Sequence, residues 1–382
     1  MGSDREHKAS LGELARVFLK LGTIAFGGPA AHIAMMEDEV VRRRHWMTRD
    51  EFLDLLGAAN LIPGPNSTEL AIHVGHRQAG FAGLVVAGAS FIIPAMLIVM
   101  AFAWAYVRYG SLPEVAGILY GVKPVIIVIV LQALWSLGKT ATKTKFLAAI
   151  GVVGVALTWL GVHELLILAG AGLAVALVRR FSQGNDRRLM SVSFAFLLQS
   201  TATATSTFGL LPLFLFFLKV GAILYGSGYV LLAFIRADLV ERWHWLTESQ
   251  LLDAIAVGQV TPGPVFTTAT FIGYVLGGYK GAIVGTLGIF LPAFCFVALS
   301  GPLVPRIRRS PTAGAFLDGV NVAALSLMVV VTYQLGRASL VDIKTLLIGL
   351  ISGFLLFRFR VNSAWLVLGG AIAGWIISSV SG

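Results

Sequence analysis

Charge is what this 382-residue sequence lacks most: Asp, Glu, Lys and Arg make up 13% of it, against roughly a quarter in a soluble domain. That shortage, set beside 57% hydrophobic residues, excludes an ordinary soluble fold. Cysteine is nearly absent too. The single Cys295 excludes an intrachain disulfide and any site built from several cysteines. The opening "MGSDREHKAS" has neither a basic n-region nor an apolar h-region, so no removable signal peptide is expected. A phosphate-binding P-loop, a G-x-S-x-G elbow and a zincin motif are all missing, which leaves direct ATP drive and those hydrolytic chemistries without support. Nor is there the alternation of a membrane β-barrel, and in lipid the remaining solution is an α-helical bundle.

What is present fits that solution. Leu84–Val107, Val115–Leu137, Phe146–Val178 and Gly281–Leu299 are nearly uncharged runs long enough to span or re-enter a bilayer. The formal net charge of +10 is concentrated in short loops, at Arg42–Arg44, Lys139–Lys145, Arg179–Arg188 and Arg306–Arg309. Such loops set topology and contact anionic lipid, and they do not call for a nucleic-acid surface.

The chain repeats itself. "FLKLGTIAFGG" at Phe18–Gly28 returns as "FLKVGAILYGS" at Phe217–Ser227, and "RRHWMTRDEFLD" at Arg43–Asp54 as "RWHWLTESQLLD" at Arg242–Asp253. Pro63-Gly64-Pro65 returns as Pro262-Gly263-Pro264. After a one-residue slip, Gly75, Gly80, Gly83 and Pro94 match Gly273, Gly278, Gly281 and Pro292. The expected organisation is a polar tail (1–10), a first repeat (11–190), a linker (191–211) whose membrane crossing is left open, and a second repeat (212–382). Equivalent loops of the halves differ in basic charge. Lys139–Lys145 and Arg179–Arg188 are rich in the first half, while Arg306–Arg309 and Arg358–Arg360 match its poor loops. The positive-inside rule then makes the halves inverted repeats. The predicted fold class is an all-α polytopic membrane protein, two homologous halves as inverted repeats with broken or re-entrant helices. Trp46–Arg77 is expected to turn back at Pro63–Pro65 rather than cross.

Four breaks recur in corresponding positions: "AFGGPAAH" with Phe26, Gly27, Gly28 and His32, "LYGSGY" with Gly226 and Ser227, and the two Pro-Gly-Pro motifs. A helix beginning at a break presents unpaired N–H groups and the positive end of its dipole, a natural anion site. Asn66, Ser67 and Thr68 are capping types that add donors after Pro65, and Thr267 and Thr268 follow Pro264 in the second copy. Lys20 and Lys219, matched cations before the Gly-rich breaks, read either as counter-charges for an anion or as snorkelling side chains. Glu69, His73 and His76 share one helix face at i, i+4, i+7. They read as a weak metal site or as proton-handling groups. His45-Trp46 and His244-Trp245, each followed by Thr48 or Thr247, read as interfacial anchors with N-caps.

These residues resemble the chromate ion transporter family in its two-domain form. The resemblance rests on "FGGPAAHI", the basic run with Trp46, "PGPNSTELAIHVG" and "TPGPVFTTATFIGY", and it covers nearly the whole chain. It implies export of chromate across the bacterial inner membrane, driven by membrane potential or a proton gradient and conferring chromate resistance, with sulfate as competing substrate and no cofactor. The alternatives are a transporter of another anion and a membrane-embedded metalloenzyme. Oligomeric state is left open, a homo-oligomer included.

Overall fold

The computed structural model describes residues 8–26, 28–110, 112–182, 207–224, 228–308 and 310–381, and among these every regular element is helical. The first half opens with two hairpins whose arms are too short to cross a bilayer. α1 (Leu11–Ile24) has 14 residues, about 21 Å of helix against about 30 Å of hydrocarbon. The chain breaks after it and returns along α2 (Gly28–Glu37) and a π-helical turn, Asp38–Arg43. α3 (Arg49–Ala59) then enters, turns at Pro63-Gly64-Pro65 and returns as the first arm of α4 (Asn66–Tyr109).

One glutamine ties the open ends together. Gln78 Oε1 accepts from the Ala9 N–H at 3.1 Å, and its Nε2 donates to the Trp46 carbonyl at 2.8 Å. Across the second hairpin Arg77 donates to Glu51 at 2.8 Å. The re-entrant course expected of Trp46–Arg77 is therefore present, with both ends on one face. Thr48 caps α3 in a reciprocal box with Glu51, and Thr247 does the same with Gln250. The Thr48 N–H and Arg77 hold the half-exposed Glu51 carboxyl below the ordinary glutamate range.

α4 is two helices. Ala79 and Gly80 leave the helical region, Gly80 with a φ of +60°, and the chain reverses there. Gly75 and Gly83 then lie face to face, so close that a Cβ on either would strike the other's carbonyl. The second arm is the first full crossing, followed by α5 (Pro113–Ala141), α6 (Lys145–Trp159) and α7 (Glu164–Ser182). The apolar run 146–178, a single stretch in the sequence, is two helices separated by Gly161, whose φ is +77°.

The second half repeats this plan: α8 (Leu210–Ile223), the short α9 (Leu231–Ile235) with a π-helical turn at Arg236–Arg242, α10 (Glu248–Val260), α11 (Thr268–Arg308), α12 (Pro311–Ser339), α13 (Ile343–Phe359) and α14 (Ser363–Ser381). α11 reverses at Gly277-Gly278, where Gly273 meets Gly281 as Gly75 meets Gly83. The halves interlock in matched pairs. α4 packs on α11, α5 on α13 and α14, and their counterparts α12 on α6 and α7. Small residues allow the closest approaches: a Cβ at Gly121 would strike the Gly370 carbonyl, and one at the matched Gly319 the Ala171 carbonyl. Among the described residues, five helices are long and apolar enough to span a membrane, and α6 and α8 are shorter apolar ones. Most of the 191–211 linker falls outside the described residues, as do Gly27, Gly226 and Ser227 of the Gly-rich breaks.

Candidate functional site

The Pro-Gly-Pro motif of each half plugs the broken segment of the other. The Gly64 N–H donates to the Leu224 carbonyl at 2.7 Å, and the Gly263 N–H donates to the Ala25 carbonyl at 2.9 Å. Gly64 corresponds to Gly263 and Ala25 to Leu224 in the repeat, so the two bonds are one contact made twice. Both glycines have a positive φ, +139° and +90°, where a side chain is strained. Neither N–H is left over for an anion, contrary to the expectation for the glycines of these motifs.

Beside this joint lies a cavity of about 200 Å³ lined by Pro29, Pro65, Asn66, Ser67, Leu137, Gly228, Pro264, Val265 and Phe266. The lining brings together the start of α2, the start of α4, the turn leading into α9 and the turn leading into α11. All four breaks meet here. The first N–H groups of α4 have no intrahelical acceptor, and the helix dipole favours negative charge at this end.

The two sides differ. On the first, His32 is buried and bridges elements: its Nε2 lies 3.1 Å from the Ala25 carbonyl and its Nδ1 3.3 Å from the Ser67 hydroxyl. A carbonyl only accepts, so Nε2 carries a proton. Asn66 donates to Asn60 at 2.6 Å, which steadies the first turn of α4. On the second side the hydroxyls turn inward. Thr267 donates to the Pro264 carbonyl and Thr268 to the Val265 carbonyl, both at 2.8 Å. The hydroxyl contacts expected from Thr267 and Thr268 are thus satisfied by their own backbone, and Phe266, packed on Phe290, fills the space. Phe26 is exposed, and Pro262 sits in the turn outside the cavity lining.

Lys20 and Lys219 are also absent from the lining. Lys20 Nζ is 2.5 Å from Glu39 and Lys219 Nζ 2.5 Å from Asp238, the matched acid of the other repeat. Both acids are buried and both lie in π-helical turns, Glu39 also meeting Arg43 and Arg44, and Asp238 meeting Arg242. The lysines neutralise protein carboxylates, so the counter-charge role expected of them is already taken. An acid recurring at the same offset from each lysine is the sequence signal for these partners. Lys20→Met is expected to lower stability by about 1–3 kcal/mol, because it leaves Glu39 less well paired. Adding Glu39→Gln should recover at least half of that loss. Melting of the purified variants in detergent checks it, and non-recovery would show that Lys20 acts outside the pair.

Thr68, Glu69 and His73 are buried along the first arm of α4. The Thr68 hydroxyl, both Glu69 oxygens and His73 Nε2 lack a hydrogen-bond partner. His76, further along, is exposed. Among the described residues no group of three His, Cys, Asp or Glu side chains is arranged to hold a metal ion. Asp54 and Asp253, matched in sequence, separate in space. Asp54 is exposed, whereas Asp253 is buried, accepts from Tyr106 at 2.9 Å and lies 3.4 Å from Lys123.

Comparison with known proteins agrees with this two-part plan. The chromate transporter family model matches twice, at residues 12–176 and 211–375. The chain is 34% identical over 373 residues to a chromate transport protein of Cupriavidus metallidurans, covering 96% of this chain and 93% of the relative. It is 33% identical over 379 residues to a probable chromate transport protein of Synechococcus elongatus, at 97% and 96% coverage. A chromate transport protein of Pseudomonas aeruginosa is 30% identical over 379 residues, at 94% and 91% coverage. No solved structure matches the chain. With two copies of the family's unit filling nearly its whole length, this multi-pass membrane protein belongs to the chromate transporter family.

Proposed function

We propose that this protein is a secondary transporter that exports a tetrahedral divalent oxyanion, chromate first, by exchanging the conformations of two inverted halves. The observation that carries the reading is the doubled contact Gly64 to Leu224 and Gly263 to Ala25 at a cavity where four helices begin. Contacts that mirror each other across the halves let one half release while the other holds, which is the logic of alternating access. The anion would be held by N–H groups of the first turn of α4 and by the second amide hydrogen of Asn66, neutral donors at a positive dipole end. The resemblance to chromate transport proteins supplies the substrate. Sulfate has the same shape and charge and is the competitor.

Inversion is supported by where the hairpins open. The first pair opens beside Arg77 and Glu51, where the second arm of α4 begins. About 38 Å further along that arm, Tyr106 meets Asp253 on α10, and Lys123 donates to Ser249 in the first turn of α10 at 2.6 Å. The second pair therefore opens at the far end. Lys143 and Arg179 both approach Asp318 near the start of α12, which groups these basic residues of the first half with the start of α12. By the positive-inside rule that face is cytoplasmic.

The test is uptake of chromate into everted inner-membrane vesicles, with and without an imposed proton gradient and with excess sulfate. Protein-dependent accumulation inhibited by sulfate is expected. No accumulation in sealed, energised vesicles would overturn chromate export, and accumulation of sulfate alone would reassign the substrate.

A further inference from the structure

We propose that Glu69, His73 and His76 form a proton path, with Glu69 at its inner end carrying the proton that couples transport to the gradient. This rests on the transport function proposed for the chain and adds the coupling site to it.

The Glu69 side chain is fully buried in the first arm of α4, and neither carboxyl oxygen has a hydrogen-bond partner. It lies directly under the Pro-Gly-Pro turn, where a Cβ on Gly64 would overlap its Oε1. Among the described residues, the elements around it bring no compensating charge. α1 directs Lys20 to Glu39. α2 carries His32, whose ring is taken by Ser67 and the Ala25 carbonyl. α3 pairs Glu51 with Arg77 and leaves Asp54 exposed. α10 holds Asp253 at Tyr106 and Lys123, and α11 presents Ala293. An ionised carboxylate with no partner in such a place is prohibitively costly, so in this conformation the group is a neutral acid.

The turn after the second Pro-Gly-Pro carries no acid at the matching place. The threonines after its Pro-Gly-Pro, Thr267 and Thr268, are satisfied by their own backbone. A buried polar atom without a partner calls for an explanation, and here three residues of one helix arm have one: Thr68, Glu69 and His73. Along the same helix face the series continues to His76, which is exposed near Arg77 and the open end of the hairpin. From Glu69 to His76 is about 10 Å of helix. The ladder thus runs from the joint between the halves to the arginine-rich face.

The chemistry is proton transfer alone. When the Gly64–Leu224 contact opens, the Glu69 O–H bond breaks and an N–H bond forms on His73. The imidazolium passes a proton to His76, and His76 passes it to water at the face. Glu69 is left as a carboxylate, and the joint closes again only after a proton from the opposite side of the membrane reaches it through the opened joint. Flux is thereby tied to one proton per cycle.

The test uses the full-length protein reconstituted in sealed liposomes, with chromate flux measured under imposed pH gradients. The wild type should respond to pH by up to about tenfold per unit. Glu69→Gln, a permanent neutral mimic, should lose the response to the gradient, and Glu69→Asp should restore it. His73→Phe should slow gradient-driven flux about tenfold or more while leaving pH dependence in place. A gradient response undiminished in Glu69→Gln would overturn the proposal. Infrared difference spectra test the proton site independently of flux, since the wild type should show a protonated-carboxyl stretch that Glu69→Gln lacks. Identical spectra would overturn the proton site even if the variant were inactive. Absence of wild-type flux would overturn the transport function instead, leaving the infrared band to decide the proton.

Discussion

Gly64→Ala and Gly263→Ala are each expected to reach the membrane and to lose chromate flux about 100-fold, as a misplacement of about 1 Å in a working site does. The backbone is the first obstacle. At φ values of +139° and +90° a side chain costs about 1–3 kcal/mol in local strain. Space is short as well. A Cβ at position 64 would overlap the Glu69 carboxyl and touch Ala293, and one at 263 would press on Ala95 and lie 3.2 Å from the Gly22 carbonyl. Overpacking of that kind adds about 1–3 kcal/mol. Either the turn shifts, breaking the hydrogen bond to Leu224 or Ala25, or the hairpin tip withdraws from the other half. Both outcomes disable the joint that the proposed mechanism opens and closes. Gly12→Ala and Gly314→Ala are the controls, because nothing lies within 4 Å of a Cβ at either position. Their flux should stay within about twofold of wild type, as for substitutions away from any packed feature. Normal flux in Gly64→Ala, with insertion verified, would remove the joint from the mechanism.

Much of this architecture is legible in the sequence because membrane chains are constrained in few ways. Low charge and long apolar runs dictate helices, and a repeat in the sequence dictates a repeat in space. The re-entrant course of Trp46–Arg77 is readable because only a turn at Pro63–Pro65 puts its basic ends on one side. Side-chain partners are less legible. Lys20 and Lys219 look like free cations in an apolar helix, whereas their acids lie in a separate hairpin arm and meet them only through a wide π-helical turn. The spacing of Glu69, His73 and His76 suggests a common face and carries no information on depth. The fold buries the first and exposes the last, so they form a gradient of burial instead of a ligand set. Thr267 and Thr268 stand out for their hydroxyls, and sequence carries no signal that a short 3₁₀ turn directs both into their own backbone. The bonds that join the halves are made by main-chain atoms of Ala25 and Leu224, and composition does not single out a carbonyl.

Asp50 and Ser249 occupy the same place in the two repeats, and cysteines placed there should react with an impermeant maleimide from opposite sides of the membrane. Both residues are exposed, each in the first turn of the third helix of its half, just after the capping threonine. Asp50 neighbours Glu51, whose bond to Arg77 closes the first hairpin. Ser249 accepts from Lys123, beyond the far end of the second arm of α4. If the halves are inverted, one position faces the cytoplasm and its twin the exterior, although their local surroundings are alike. In a Cys295→Ala background, Asp50→Cys should label fully in everted vesicles and hardly at all in intact cells, and Ser249→Cys should do the reverse. Removing Cys295 matters because it is exposed. The contrast is close to all-or-none, since a charged probe does not cross about 30 Å of hydrocarbon on the timescale of labelling. Labelling of both from the same side would make the repeats parallel. The mirrored contacts at Gly64 and Gly263 would then need a two-fold axis along the membrane normal, and exchange of the halves' conformations would no longer turn the cavity from one face to the other.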